Sequence, residues 1–344
     1  MALRHIDSFD AYATADLPER YPVRGGSPTI NAGSGRRGTA SFRTSSNSAY
    51  LSVALDAQAT WIMGFAFYYS SLPNTARVLA RLLDGASVQA DLRLNSDGTL
   101  QVTRAGTAVT DGKSTNVLGT GVYAYIEWKI TIANSIAENS CKVRVNGADW
   151  ITVATGQDLQ ATANAYANIV QFGICVYEAQ GFVVDIDDLY ICDGTGAANN
   201  DFLGDQRVDA LLPDEDGDLS QFTPSAGSDQ YAVVDDNPPN EDTDYLSSNT
   251  VGHISLLKFS SLTALSSPSI AGVQALVNAK KADAGDRGIG ATVKSGATTS
   301  SGSDQALGTD YEYYTRILET DPDTAVAWTE SGVNAIQAGP EVMS

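Results

Sequence analysis

Val88-Gln89-Ala90-Asp91-Leu92-Arg93-Leu94 alternates apolar and polar side chains without a fault, and Asn95-Ser96-Asp97-Gly98 follows it directly. Successive side chains of an extended chain point to opposite faces, so this pattern buries one face of a strand and wets the other. Gly98 can take the positive φ that a tight turn requires. The alternation then resumes at Leu100 and Val102, with Gln101 and Thr103 outward. The stretch predicts a β-hairpin.

The same period recurs on both sides. Val122, Ala124, Ile126, Trp128, Ile130 and Ile132 form one apolar face of an eleven-residue strand, and Tyr123, Tyr125, Glu127, Lys129 and Thr131 form the other. Trp61-Ile62-Met63-Gly64-Phe65-Ala66-Phe67 is apolar on both faces and reads as a central strand. Further strands are expected at residues 50–55, 78–83, 141–145, 170–177 and 182–192, and no amphipathic helix is evident before residue 200. Short strands joined by glycine-rich turns specify a sandwich or barrel.

Past residue 200 the pattern continues with different spacing. Strands are expected at 251–259, 272–279, 288–294 and 311–318, with 333–342 closing the sheet. The Ser/Gly/Thr run 295–303 reads as a loop, and Thr329 as the cap of one helical turn after Trp328. A chain of 344 residues suggests about two domains at ~150 residues each. Between Asp185 and Asp244 there are seventeen Asp/Glu and one basic residue, Arg207, so this window carries −16 of the net −20. Such acidity, with Gly194-Thr195-Gly196, Asn199-Asn200 and Pro238-Pro239, reads as a solvated connection. The expectation is therefore an all-β protein of two antiparallel β-sandwich domains, 1–200 and 201–344.

Composition excludes several classes. Lys+Arg 21 against Asp+Glu 41 leaves no basic surface for nucleic acid or an anionic membrane. The longest apolar run, Trp61 to Tyr69, is far short of the ~20 residues of a helical membrane span. Residues 1–21 hold no uninterrupted apolar stretch, so no secretory signal is expected. Three cysteines make no disulfide scaffold.

Candidate chemistry is sparse. The two histidines, His5 and His253, have no evident nucleophile and orienting group beside them, and His253 is expected in a strand with Val251 and Leu257. Cys141 alternates with Val143 and Val145, and Cys175 lies in an apolar strand; both read as small buried hydrophobes. Asp185 and Asp187 should share one strand face roughly 7 Å apart, with Asp188 opposite. Paired carboxylates are the minimum equipment for glycoside hydrolysis. The plainer reading is that these aspartates accept hydrogen bonds from loop amides at a strand edge. Asp214, Glu215, Asp216 and Asp218 around Gly217 are a candidate calcium turn, although Leu219 stands where an EF-hand loop needs glycine. Gly33-Ser34-Gly35-Arg36-Arg37-Gly38 lacks the strand–helix context of a phosphate loop. Tyr123 and Tyr125 face away from the apolar side of their strand and could stack on sugar rings, or pack against a loop, a subunit or the second domain.

Asp185-Ile186-Asp187-Asp188-Leu189-Tyr190-Ile191 resembles the closing strand of concanavalin A-like and laminin G-like jelly rolls, a likeness that spans residues 1–200 once the strand series is added. The stretch from Asp187 through Cys192-Asp193-Gly194-Thr195-Gly196 to Asp201-Phe202-Leu203-Gly204-Asp205 resembles virion structural proteins of tailed bacteriophages. So do Ser8-Phe9-Asp10, Asp235-Asp236-Asn237-Pro238-Pro239 and Ala327-Trp328-Thr329-Glu330. This resemblance implies a non-enzymatic component on the particle exterior, in capsid decoration, a head fibre or the tail. It would be assembled in the host cytoplasm with major capsid or tail proteins as partners, and homo-oligomeric, a trimer by analogy. The alternative is an adhesin for host surface glycans, with a carboxylate-based glycosidase ranked below it. No catalytic residue, cofactor or metal ligand is assigned, and calcium at Asp214, Asp216 and Asp218 is left open.

Overall fold

The computed structural model describes residues 2–44, 48–176, 181–262 and 268–344. The chain divides into two compact units. The first holds Met1–Asp10 and Tyr21–Val208, and the second Ala11–Arg20 and Asp209–Ser344. The boundary thus falls beyond residue 200, and ten residues near the N-terminus join the second unit.

The first unit is a two-layer sandwich. An eight-stranded sheet runs Ala148–Val153, Ser140–Val145, Ala124–Thr131, Thr60–Tyr69, Val184–Asp193, Ser41–Thr44, Thr29–Asn31, with Leu3–Asp7 also pairing to Val184–Asp193. The facing seven-stranded sheet runs Thr107–Val117, Thr99–Arg104, Ser87–Leu94, Arg77–Asp84, Ala167–Ile174, Ala49–Gln58, Arg24–Gly26. All these pairings are antiparallel. The predicted hairpin lies in the second sheet, with Leu92 opposite Val102, Leu94 opposite Leu100 and Gly98 at φ 80°.

Between the sheets lies the apolar face read from the sequence. Ile126, Trp128 and Ile130 are buried, as are Phe65 and Phe67 of the doubly apolar strand. Phe42 meets Phe172 edge to face at 5.9 Å across the layers, and the Trp61 indole N–H donates to the Ala167 carbonyl at 2.9 Å. Cys141, Cys175 and Cys192 are buried in this unit, and burial pushes the Cys141 thiol up to about 12.

The second unit is smaller and also all-antiparallel. A six-stranded sheet contains Pro213–Ser220, Ser255–Phe259, Gln337–Val342, Gly288–Ser295, Thr298–Ser300 and Gln305–Ala306. The pair Val273–Ala279 and Glu312–Leu318 supplies Ala275 and Leu318 to a core shared with Ala291, Val293 and Ala338 of the larger sheet. Trp328 seals that core, and its indole N–H donates to the Leu318 carbonyl at 2.9 Å. Thr329 caps the helix Glu330–Asn334 by accepting from the Gly332 amide at 3.0 Å.

Several expectations shift. The run 295–303 contains the strand Thr298–Ser300, hydrogen-bonded to Gly288–Ser295. The acidic window is not wholly a solvated connection, because Pro213–Ser220 is a strand. His253 precedes the strand Ser255–Phe259, with its Nδ1 3.0 Å from Ser248 Oγ. The strand expected at 170–177 ends at Ile174, and Tyr177 lies outside the described residues.

Trp128 is fully buried while Val122, expected on the same face, is 59% exposed beyond the strand's end. Trp128→Ala should cost about 3–5 kcal/mol through cavity formation. Val122→Ala should stay within about 0.5 kcal/mol. Denaturant unfolding of the two variants checks both values.

Candidate functional site

The outer face of the eight-stranded sheet gathers polar and aromatic side chains from four neighbouring strands. The sequence dictates the gathering, since residues opposite the core period must collect on one surface. Ala124–Thr131 and its approach contribute Tyr123, Tyr125, Glu127 and Lys129; Thr60–Tyr69 contributes Tyr68; Val184–Asp193 contributes Asp185 and Asp187; Ser41–Thr44 contributes Ser41 and Arg43.

Asp185, 1% exposed, accepts from Arg43 Nε and Nη2 at 2.8 Å each and from Ser41 Oγ at 2.9 Å. It lies on an interior strand of the sheet and takes side-chain donors where loop amides were expected. A bidentate arginine offsets the desolvation of a buried carboxylate through two charge-assisted hydrogen bonds. Beside this pair the Tyr68 and Tyr123 rings lie 5.3 Å apart, tilted 40°, and both are half-buried. The Tyr123 hydroxyl donates to the Ser34 carbonyl at 2.6 Å. Burial, and then the charges of Asp185 and Asp187, push its ionisation upward, so it is a neutral donor at ordinary pH.

Asp187 and Asp188 do not point to opposite sides as simple alternation predicts. The register of Val184–Asp193 against Thr60–Tyr69 shifts between Asp187 and Tyr190, and Asp188 sits at φ 49°. This bulge turns both carboxylates toward the Gly33–Gly38 loop. The Arg36 amide donates to Asp187 at 2.7 Å, Arg37 pairs with Asp188 at 2.6 Å, and Asp188 also accepts from the Val208 amide at 2.8 Å. Desolvation, then the neighbouring Asp188 charge, raises Asp187 to about 7. Asp10, which accepts from the Ala40 amide at 2.7 Å, is raised to about 6, chiefly by burial. The loop that resembles a phosphate cradle in sequence is instead an arginine and amide clamp over buried acids.

Tyr125 and Glu127, on the strand face turned from the core, are 1% exposed, so of the alternatives open to Tyr125 packing against a loop is the one found. The segment 201–208 lies over them. Gly204 donates its amide to Glu127 Oε1 at 2.8 Å, and Tyr190 donates its hydroxyl to the same oxygen at 2.6 Å. Gly64 makes room for Tyr190, for a Cβ there would lie 2.2 Å from that ring. Burial holds both Tyr125 and Tyr190 well above the usual phenol range.

The other sequence candidates fall elsewhere. His5 is buried beside Tyr21, its Nε2 2.8 Å from the Tyr21 hydroxyl, which donates to Asp7 at 2.7 Å. The candidate calcium turn is corrected to a strand whose acids answer different partners. Glu215 pairs with Lys258 at 2.8 Å, Asp216 accepts from the Tyr231 amide at 2.7 Å, and Asp218 pairs with Lys294. Among the described residues the carboxylates that converge are Asp16, Glu19 and Glu241 of the second unit. Sequence reading missed Tyr68, Arg43 and Tyr190 as members of the face that it had drawn with Tyr123, Tyr125 and Glu127. The signal was present in Ser41-Phe42-Arg43, whose alternation matches that of 122–132.

No protein-family model and no curated protein matches the chain. Solved structures do. A sialidase is 12% identical over 55% of this chain with a TM-score of 0.40. The chain spans only 18% of that sialidase. An alginate lyase is 10% identical, covering 54% of this chain and 95% of its own, with a TM-score of 0.37. Domain 4 of an extracellular arabinanase from Geobacillus stearothermophilus, solved with arabinotriose, is 15% identical over 49% of this chain and 76% of its own, with a TM-score of 0.35. The expectation that the chain is no enzyme is withdrawn, since sialidases and an alginate lyase stand among the structures it is similar to, likenesses of fold that assign this chain no activity. These likenesses do not bear on the virion resemblance.

Asp187 and Asp10 bind a proton more tightly in the folded chain than unfolded, where carboxylates titrate near 4. Their contribution is therefore full at acid pH and is lost as pH rises from about 4 through 7. Asp187→Asn should flatten that part of the profile. Thermal unfolding of both proteins between pH 4.5 and 8 measures the difference, and parallel curves would show that Asp187 does not titrate in this range.

Proposed function

We propose that the first unit recognises glycans on the open half of the eight-stranded sheet's outer face. The observation that carries this reading is the half-buried Tyr68–Tyr123 pair set beside the bidentate Arg43–Asp185 pair. A sugar ring offers an apolar C–H face for aromatic packing and a rim of hydroxyls for charge-assisted hydrogen bonds. A rigid sheet holds both kinds of group in place before a ligand arrives, which lowers the ordering cost of binding.

Set beside the virion resemblance, this reading makes the ligand a host-surface glycan and the chain a part of the particle exterior. Recovery of the chain at a fixed copy number in gradient-purified particles tests that location.

Glycan-array retention followed by calorimetry tests the binding itself. Tyr68→Ala and Tyr123→Ala should each weaken a retained glycan roughly two- to tenfold, the worth of one aromatic contact. Arg43→Gln should weaken it as well by freeing Asp185 from its partner. Absence of any retained glycan, or tyrosine variants that bind like the parent, would refute the proposal. Reducing-end release from the same glycans reads turnover in parallel.

A further inference from the structure

Tyr123, at the open end of the face, is followed along its strand by Tyr125, Glu127 and Lys129, which lie beneath a strap formed by residues 201–208. The strap brings Asp201 and Asp205 over a surface where cations surround the buried acids Glu127 and Asp188. Lys129 pairs with Asp201 at 3.0 Å, Arg36 makes a two-pronged pair with Asp205, and Arg144 lies over the Phe202 ring at 4.3 Å. Arg36 also lies over the Tyr125 ring at 5.4 Å. In a chain of net charge −20, three cations line one side of a strand face and an acidic segment of the same chain occupies them.

The strap satisfies that surface incompletely. Its Leu203 amide donates to the Tyr190 hydroxyl at 3.2 Å and its Gly204 amide to Glu127 Oε1. Glu127 Oε2, in a side chain 1% exposed, has no hydrogen-bond partner among the described residues. A buried carboxylate oxygen left without a donor costs free energy that an incoming hydroxyl would recover. The Lys129–Asp201 pair is exposed, with Asp201 70% accessible at the side chain, and contributes little, while the two-pronged Arg36–Asp205 pair, Asp205 44% accessible, is the firmer hold. Acid, aromatic and acid at positions 201, 202 and 205 give it the chemistry of an extended polyanion with stacking surface.

We propose that the strap is an internal occupant of the glycan-binding face and that its displacement admits an acidic polysaccharide. Carboxylates of the polymer take the places of Asp201 and Asp205 against Lys129 and Arg36. A sugar face replaces Phe202 beneath Arg144, and a hydroxyl donates to Glu127. This rests on reading the sheet face as glycan-binding and extends it to a ligand class and a gate.

The test uses the full chain with polygalacturonate as probe and neutral dextran as control. Asp201→Asn with Asp205→Asn should raise polygalacturonate affinity roughly threefold or more, because removing both pairs raises the fraction of chains in which the face is open. Dextran binding should not change. Adding Lys129→Gln and Arg144→Gln should abolish the gain. In the unmodified chain, saturating polygalacturonate should speed hydrogen exchange at the Leu203 and Gly204 amides, a reading that needs no variant to fold. Strap variants that bind no tighter, or strap amides as protected with polymer as without it, would overturn the gate. Loss of binding in the Tyr68 and Tyr123 variants with no strap effect would leave the open-face reading intact and remove this one. A strap effect with inert tyrosines would do the reverse.

Discussion

One strand brings four carboxylates into the interior of the first unit, and each must be answered. Asp185, Asp187, Asp188 and Asp193 of Val184–Asp193 are all at most 2% exposed. An unpaired buried charge costs several kcal/mol, about the margin by which a domain is stable. Most answers come from distant sequence: Arg43 and Ser41 for Asp185, the Arg36 amide for Asp187, Arg37 and the Val208 amide for Asp188, and Arg4 for Asp193, which also accepts locally from the Thr195 amide. The loop Gly33–Gly38 and the strap 201–208 are fixed where they are because the acids beneath them need donors.

That requirement also explains how the face divides. Acids that are fully clamped make a rigid floor, on which Tyr68 and Tyr123 stay accessible at one end while Tyr125 and Tyr190 are roofed at the other. Gly64 belongs to the same logic: the flattest point of the Thr60–Tyr69 strand lies beneath the Tyr190 ring, and the ring carries the hydroxyl that orients Glu127.

Alternation carried most of the first unit. The hairpin at 88–102 and the buried face of 124–130 follow from period two, and the central strand at 61–67 from an unbroken apolar run, because burial is a local property of the chain. Pairing order is not local, and neither is a roof. Tyr125 and Glu127 alternate correctly with their neighbours, and their sequence offers no sign that residues some eighty positions later will cover them. Asp188 was misplaced for a different reason: a single-residue bulge inverts the expected face, and an Asp-Asp pair is compatible with either geometry. The acidic window at 185–244 read as linker because like charge usually signals solvation. Here much of it is paired with arginine and lysine drawn from elsewhere, so local charge density overstated local exposure. The scattered acids of 214–218 show the converse, since alternation within a strand separates ligands that a turn would have gathered.

The discontinuous second unit has a consequence for synthesis. Ala11–Arg20 emerges early from the ribosome, yet the residues it belongs with begin at Asp209. At ~5–20 residues per second, about 200 residues of translation impose a wait of roughly 10–40 s. During that interval Tyr12 and Leu17, buried in the finished protein, have no permanent shelter while the first unit closes around them on either side in sequence. The nascent chain must therefore hold a short apolar segment in reserve as a loop, which makes it a natural foothold for a chaperone.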